Sequence, residues 1–165
     1  MRDAPPGESY YPFDVGLATS GMPSLARRIL ESCNLADLAT RRRDNFTQYT
    51  QLLARSNQMQ ILHNALLPES CPWVFPVLLE RRSERDHRWR ADGVALYTFG
   101  IYLHSALFKS GDSATIADAI YLAEHMLCFA IHQDIEAGQI EKSAATINRS
   151  LAYLGNNSQL DDERP

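Results

Sequence analysis

The sequence is poor in lysine and cysteine and has no long apolar run, and each shortage closes off a class of protein. No apolar stretch approaches the ~18–20 residues of a membrane span, so a membrane-crossing helix is not expected. Residues 1–12 carry one arginine, two acids and no apolar core, which excludes a secretory signal in that stretch. Cys33, Cys71 and Cys128 are odd in number and share no close spacing. They form neither a disulfide framework nor a zinc motif, and they suit a reducing cytosol. A basic excess is missing as well: 20 acids against 16 bases give a net charge of −4, which argues against nucleic acid as a partner. Gly-x-Gly-x-x-Gly, the P-loop, the Gly-x-Ser-x-Gly elbow and His-Glu-x-x-His are all absent.

What is present is the composition of one globular domain. The chain has 165 residues, 45% of them apolar. A chain of that length buries about 70% of the surface its unfolded form exposes, enough for a core without metal or disulfide staples. Its basic residues are fourteen arginines and two lysines, Lys109 and Lys142. Arginines cluster at Arg41, Arg42 and Arg43, and again at Arg81, Arg82, Arg85, Arg88 and Arg90. A planar guanidinium suits forked contacts to phosphate or carboxylate. An arginine-rich codon bias gives the same count with no function attached.

No internal repeat is visible. Residues 1–23 hold Pro5, Pro6, Pro12 and Pro23 with three glycines and read as an extended lead-in. Residues 155–165 are polar and read as a frayed tail. Between them, 24–154 forms the domain. Ser24 is placed to cap a short helix over 24–31. A longer helix is expected over 35–55, with Leu35, Leu38, Phe46, Tyr49, Leu52 and Leu53 approximating its apolar face. Residues 59–62 are a weak strand candidate and 73–79 a strong one. Pro76 within the second points to an edge position or a bulge.

A helix over 89–99 stopped by Gly100 is expected next, followed by a strand over 101–104. Asp112 or Ser113 caps a helix whose Ile116, Ala119, Ile120, Ala123 and Met126 make an apolar stripe. A short apolar run at 127–131 precedes the last helix, with Ile140, Ala144, Ile147, Leu151 and Leu154 at helical spacing. About five helices and three or four short, mainly antiparallel strands make a two-layer α+β domain.

Candidate chemistry is sparse. His125 and His132 flank the 127–131 run, yet seven residues across a helix–strand join fix no metal geometry, and both read as surface or capping histidines. Cys128 reads as a small buried hydrophobe, and nothing near Cys71 singles it out. Arg42 lies close to the apolar stripe of the long helix. It either snorkels along the core edge or reaches a buried acid or phosphate. The arginines at 81–90, with His87 and Trp89 among them, could grip a phosphate or a stacked base, or form a solvated loop. His104 ends an expected strand beside a loop, where ligand-contacting groups are often found; spacing alone favours a structural or surface role.

Taken in order, several of these segments resemble one known arrangement. Arg41-Arg42-Arg43-Asp44-Asn45-Phe46, followed by Tyr49 and Leu52, is similar to the helix that opens the small C-terminal domain of the DegT/DnrJ/EryC1/StrS family. These are pyridoxal-phosphate-dependent sugar aminotransferases. Pro72-Trp73-Val74-Phe75-Pro76-Val77 resembles that domain's strand, and Gly100-Ile101-Tyr102-Leu103-His104 its turn into a strand. The segment ending Cys128-Phe129-Ala130-Ile131-His132-Gln133 resembles the family's Leu-Pro-x-His run, with Ala130 where proline is usual. The likeness spans about 35–154.

The resemblance implies a catalytically incomplete piece. The cofactor-bearing lysine, the aspartate on the pyridine nitrogen and most phosphate ligands of that family lie in a large N-terminal domain. Neither Lys109 nor Lys142 matches the cofactor lysine, so no cofactor is expected in this chain, and pyridoxal phosphate is implied only for the complete enzyme. It also implies that His104 hydrogen-bonds the sugar or diphosphate of a sugar-nucleotide substrate. Arg42 and the arginines at 81–90 stay as candidate phosphate contacts on their own chemistry. A homo-oligomer, or docking to the missing large domain, follows from apolar faces left uncovered. A stand-alone, homodimerising interaction domain derived from that fold is the competing hypothesis.

Overall fold

The computed structural model describes residues 15–53, 58–99 and 113–161. Within them, four strands form one antiparallel sheet in the order β1-β2-β4-β3. The strands are β1 (Met59–Ile61), β2 (Val74–Leu79), β3 (Leu96–Tyr97) and β4 (Met126–Ala130). Five helices accompany them: α1 (Ser24–Ser32), α2 (Leu35–Leu52), α3 (Arg82–Ala91), α4 (Ser113–His125) and α5 (Ala137–Asp161). The α+β class expected from the sequence is the one observed.

Strand alternation sorts the core. Phe75, Val77 and Leu79 of β2 and Leu127, Phe129 and Ile131 of the β4 segment are each 0% exposed and join one cluster with α2 and α5. That cluster takes Phe46, Tyr49 and Leu53 from α2 and its C-cap, and Ile140, Ala144, Ile147 and Leu151 from α5. The two helices run side by side in the same direction: Tyr49 bonds Ser143, and Asn148 Nδ2 donates to Leu52 O at 2.8 Å. The second bond satisfies a carbonyl that α2 leaves open at its end. On the opposite sheet face, Leu78, Cys128 and Ala130 are buried together with Ile116 and Ala123 of α4.

Some sequence expectations are corrected by this structure. Ser24 does not cap α1: the N-cap is Pro23, with no side-chain cap bond. Leu35 and Leu52 are 55% and 40% exposed. At 100° per residue Leu52 sits about 120° from Phe46 whereas Leu53 sits about 20° away, so Leu53 takes the core position. Pro76 lies in an interior strand, although its missing N–H falls where β1 gives out. Leu62 N donates to Pro76 O at 3.2 Å, one residue past β1, and only the reciprocal bond is lost.

The helix expected over 89–99 is α3, ten residues long and starting at Arg82. Arg82, Arg85, Arg88 and Arg90 are therefore helical rather than in a loop, and Arg81 is the N-cap. Their helix signal is charge pairing, Arg81 with Glu84 and Arg90 with Asp86, in place of hydrophobic period. Gly93, at φ +82°, stops it instead of Gly100. Val94 N bonds Trp89 O and Gly93 N bonds Arg90 O, the paired closure that a left-handed residue permits. The strand expected over 101–104 lies outside the described residues, as do Asp112 and Lys109.

Cys33 and Cys71 are exposed, while Cys128 is 2% exposed and burial pushes its thiol up to about 11. A neutral-pH thiol reagent should therefore label Cys33 and Cys71 at once and Cys128 only on unfolding, read by mass spectrometry of native and denatured samples.

Candidate functional site

One end of the sheet gathers the polar chemistry. There β2 begins and β4 ends, Val74 opposite Ala130, and Ala130 N bonds Ala95 O at 2.9 Å. The first half of α2 runs past this end and contributes three successive arginines with three different jobs. Arg41 pairs with Asp37 at 3.1 Å on the exposed side. Arg43 Nη1 donates to Leu67 O and Ser70 O at 2.9 and 2.7 Å, holding the connection into β2. Arg42 is half-buried, and its Nε donates to Gln133 Oε1 at 3.0 Å, just beyond β4.

That bond orders a small network. Guanidinium nitrogens only donate, so the Gln133 oxygen faces Arg42 and its amide nitrogen faces His132 Nε2, 3.0 Å away. An amide nitrogen also only donates, so His132 Nε2 accepts and the ring proton sits on Nδ1. Nδ1 in turn meets Asp134 Oδ2 at 3.1 Å. His132 thereby has both ring nitrogens engaged, which makes it an oriented hydrogen-bonding group. Arg42 pairs with no acid among the described residues.

Beneath the network, Asn45 is 6% exposed and its Nδ2 donates to His132 O at 2.9 Å and to Ile131 O at 3.4 Å. This residue was legible in principle. A short polar side chain on the apolar side of a helix must find a backbone partner.

Beside the network a cavity of about 340 Å³ opens between the α3–β3 turn and the start of α5. Asp92, Gly93 and Val94 line one wall, Gln139, Lys142 and Ser143 the other, with Tyr49 also lining it. Burial raises the Tyr49 phenol above its ordinary value, and its bond to Ser143 opposes that only in part. Trp73, next to β2, and Phe99 form an exposed edge-to-face pair, centroids 5.8 Å apart, with 60% and 46% of each ring residue exposed.

His104 lies outside the described residues. His125 is at the other end of β4 from His132, stacked on Tyr121 at 4.2 Å, so the two histidines form no site. Among the described residues no three His, Cys, Asp or Glu side chains gather to hold a metal, and no helix is long and apolar enough to cross a membrane.

Neither a family model nor a curated protein matches the sequence. Solved structures do. The aminotransferase TlmJ from Streptoalloteichus hindustanus aligns over 79% of this chain and 34% of its own, at 22% identity and a TM-score of 0.56. DesV from S. venezuelae, solved in complex with a ketimine intermediate, aligns over 77% and 35%, at 21% identity and 0.62. The sugar aminotransferase CalS13 from Micromonospora echinospora aligns over 73% and 32%, at 16% identity and 0.59. The chain thus spans about a third of the length of these enzymes and shares the fold of that part of an aminotransferase.

Proposed function

We propose that this chain is the small, C-terminal-type domain of a DegT/DnrJ/EryC1/StrS sugar aminotransferase, working in the cytoplasm and contributing substrate-contacting and interface surface. The observation that carries this reading is the shared fold with three aminotransferases, the sugar aminotransferase CalS13 among them, over about three quarters of this chain. The ordered motifs around Arg42, Trp73 and His132 support it, since all of them meet at one end of the sheet.

Pyridoxal phosphate in such enzymes needs an amine to carry it, a carboxylate for its ring nitrogen and a cradle for its phosphate. Lys142 and Asp92 share the cavity beside Tyr49, but none of its described lining residues is an arginine. Tyr49 is 2% exposed and engaged with Ser143, so it offers no face to a cofactor ring. The described residues do not fit the cofactor, and its chemistry belongs to the portion of such an enzyme that this chain does not span.

The substrate surface we assign is the end bearing Arg42, the Trp73–Phe99 pair and, through the resemblance, His104. The Arg42 Nη groups bond none of the described residues and are free for a diphosphate. Exposed aromatic faces suit a base or a pyranose ring. Interface surface lies elsewhere. All of α1 is exposed, with Leu25, Ile29 and Leu30 at 68%, 56% and 47%, the kind of face that a large domain or a second copy covers.

The test is calorimetric titration with a nucleoside diphosphate hexose. Arg42→Gln and His104→Ala should each weaken binding about tenfold, the loss of one charge-assisted or buried hydrogen bond. Equal affinity in both variants and the parent would remove these residues from the substrate surface.

A further inference from the structure

Arg85 and Trp89 stand one turn apart on the inner side of α3, and they are 5% and 0% exposed. The Arg85 guanidinium makes a single hydrogen bond, Nη2 to Gln58 Oε1 at 2.6 Å. Its Nε and Nη1 have no partner, and neither does the Trp89 indole Nε1. Three guanidinium N–H groups, one on Nε and two on Nη1, and one indole N–H are therefore buried without an acceptor.

Nearby acids do not answer them. Glu84 is engaged by Arg81 at 2.7 Å and Asp86 by Arg90 at 2.5 Å. Glu80 is exposed and forms no hydrogen bond or ion pair with Arg85, acting on it only through its charge. Burial lowers the Arg85 pKa and the neighbouring Arg81 charge lowers it further, while Glu84 and Glu80 pull the other way without restoring it. Native interiors seldom keep a buried cation with idle donors.

We infer that Arg85 and Trp89 form a binding site for a carboxylate group, seated between α3 and the residue that leads into β1. The chemistry selects this ligand. A carboxylate is acceptor-only, supplies two oxygens and carries the one charge that the guanidinium lacks. Water would leave the charge uncompensated. Arg85 is 5% and Trp89 0% exposed, so the side chains around them must open for a ligand to enter, and a bulky dianion is excluded. The carboxylate comes either from a small free acid or from an Asp or Glu side chain of another polypeptide.

The experiment is a proton–nitrogen correlation spectrum of the full chain during titration with sodium acetate, against sodium chloride at equal pH and ionic strength. The Arg85 Nε–H and Trp89 Nε1–H signals are assigned with Arg85→Lys and Trp89→Phe, and exposed Trp73 supplies the reference indole. Acetate should shift both signals downfield with saturation and leave Trp73 in place, and chloride should do neither. A parallel titration with a blocked glutamate amide separates the sources: a matching shift means the site takes a protein side chain, and a shift with acetate alone means a free acid. Absence of a saturable shift with either carboxylate overturns the proposal. Acetate should also raise the melting temperature of the parent chain and not that of Arg85→Met; equal rises in both would overturn it as well.

Discussion

Phe129→Ala should cost about 3–5 kcal/mol of folding stability, the range for emptying an aromatic site in a packed core. Phe129 is 0% exposed and is the residue on which three elements converge. Its ring lies 5.5 Å from Tyr49 on α2, 6.5 Å from Phe75 on β2 and 5.8 Å from Trp89 on α3. Rings held by separate elements cannot all move inward to fill the hole, so the cavity term stays near its upper range. Domains of this size are stable by only about 5–15 kcal/mol, so the variant should unfold at a far lower urea concentration with an unchanged slope. Phe99→Ala is the control: its ring is 46% exposed, and the loss should stay under about 1 kcal/mol. Equal losses in the two variants would contradict this account of the core.

Asn45→Leu should cost about 1–3 kcal/mol, because it keeps the branched shape but leaves the carbonyls of Ile131 and His132 without their donor. Asn45→Asp should be at least as damaging, since it sets a buried carboxyl oxygen against those same carbonyls. The effect should also be local. The turn after β4 carries His132 and Gln133, so amide exchange at residues 132–136 should quicken in Asn45→Leu more than in the α5 core around Ile147. Uniform exchange across the chain would mean that Asn45 stabilises the fold without ordering that turn.

Parts of the fold were legible because one residue type at one spacing encodes them. Ile140, Ala144, Ile147 and Leu151 repeat at helical intervals, and the structure buries all four. The strand beginning at Val74 was equally plain from its β-branched and aromatic content. The helix α3 was not, because its inner face offers Arg85 and Trp89 where an apolar stripe is normally counted. Its boundaries are written in i,i+3 and i,i+4 charge pairs and in Gly93, signals that hydrophobic periodicity passes over.

The candidate site was half legible for a related reason. Arg42 drew notice by lying near an apolar stripe, but its partner Gln133 is 91 positions away. His132 read as an ordinary surface histidine because the residues that fix its tautomer act through that long-range bond. Asn45 sat inside the motif that carried the family resemblance, yet its acceptors are 86 and 87 positions away. Periodicity reports which face is buried; it does not report what a polar group on that face will meet.

The central claim is that this chain has the fold of part of an aminotransferase and that its described residues offer no place for the cofactor. The most direct measurement is to incubate the purified chain with pyridoxal phosphate, reduce with borohydride and locate any pyridoxyl-lysine by peptide mass. The account predicts no visible absorption band beyond free cofactor and no stoichiometric adduct at Lys109 or Lys142. A one-to-one adduct at either lysine, formed at cofactor concentrations near that of the protein, would contradict it and mean that these 165 residues contain a cofactor site of their own.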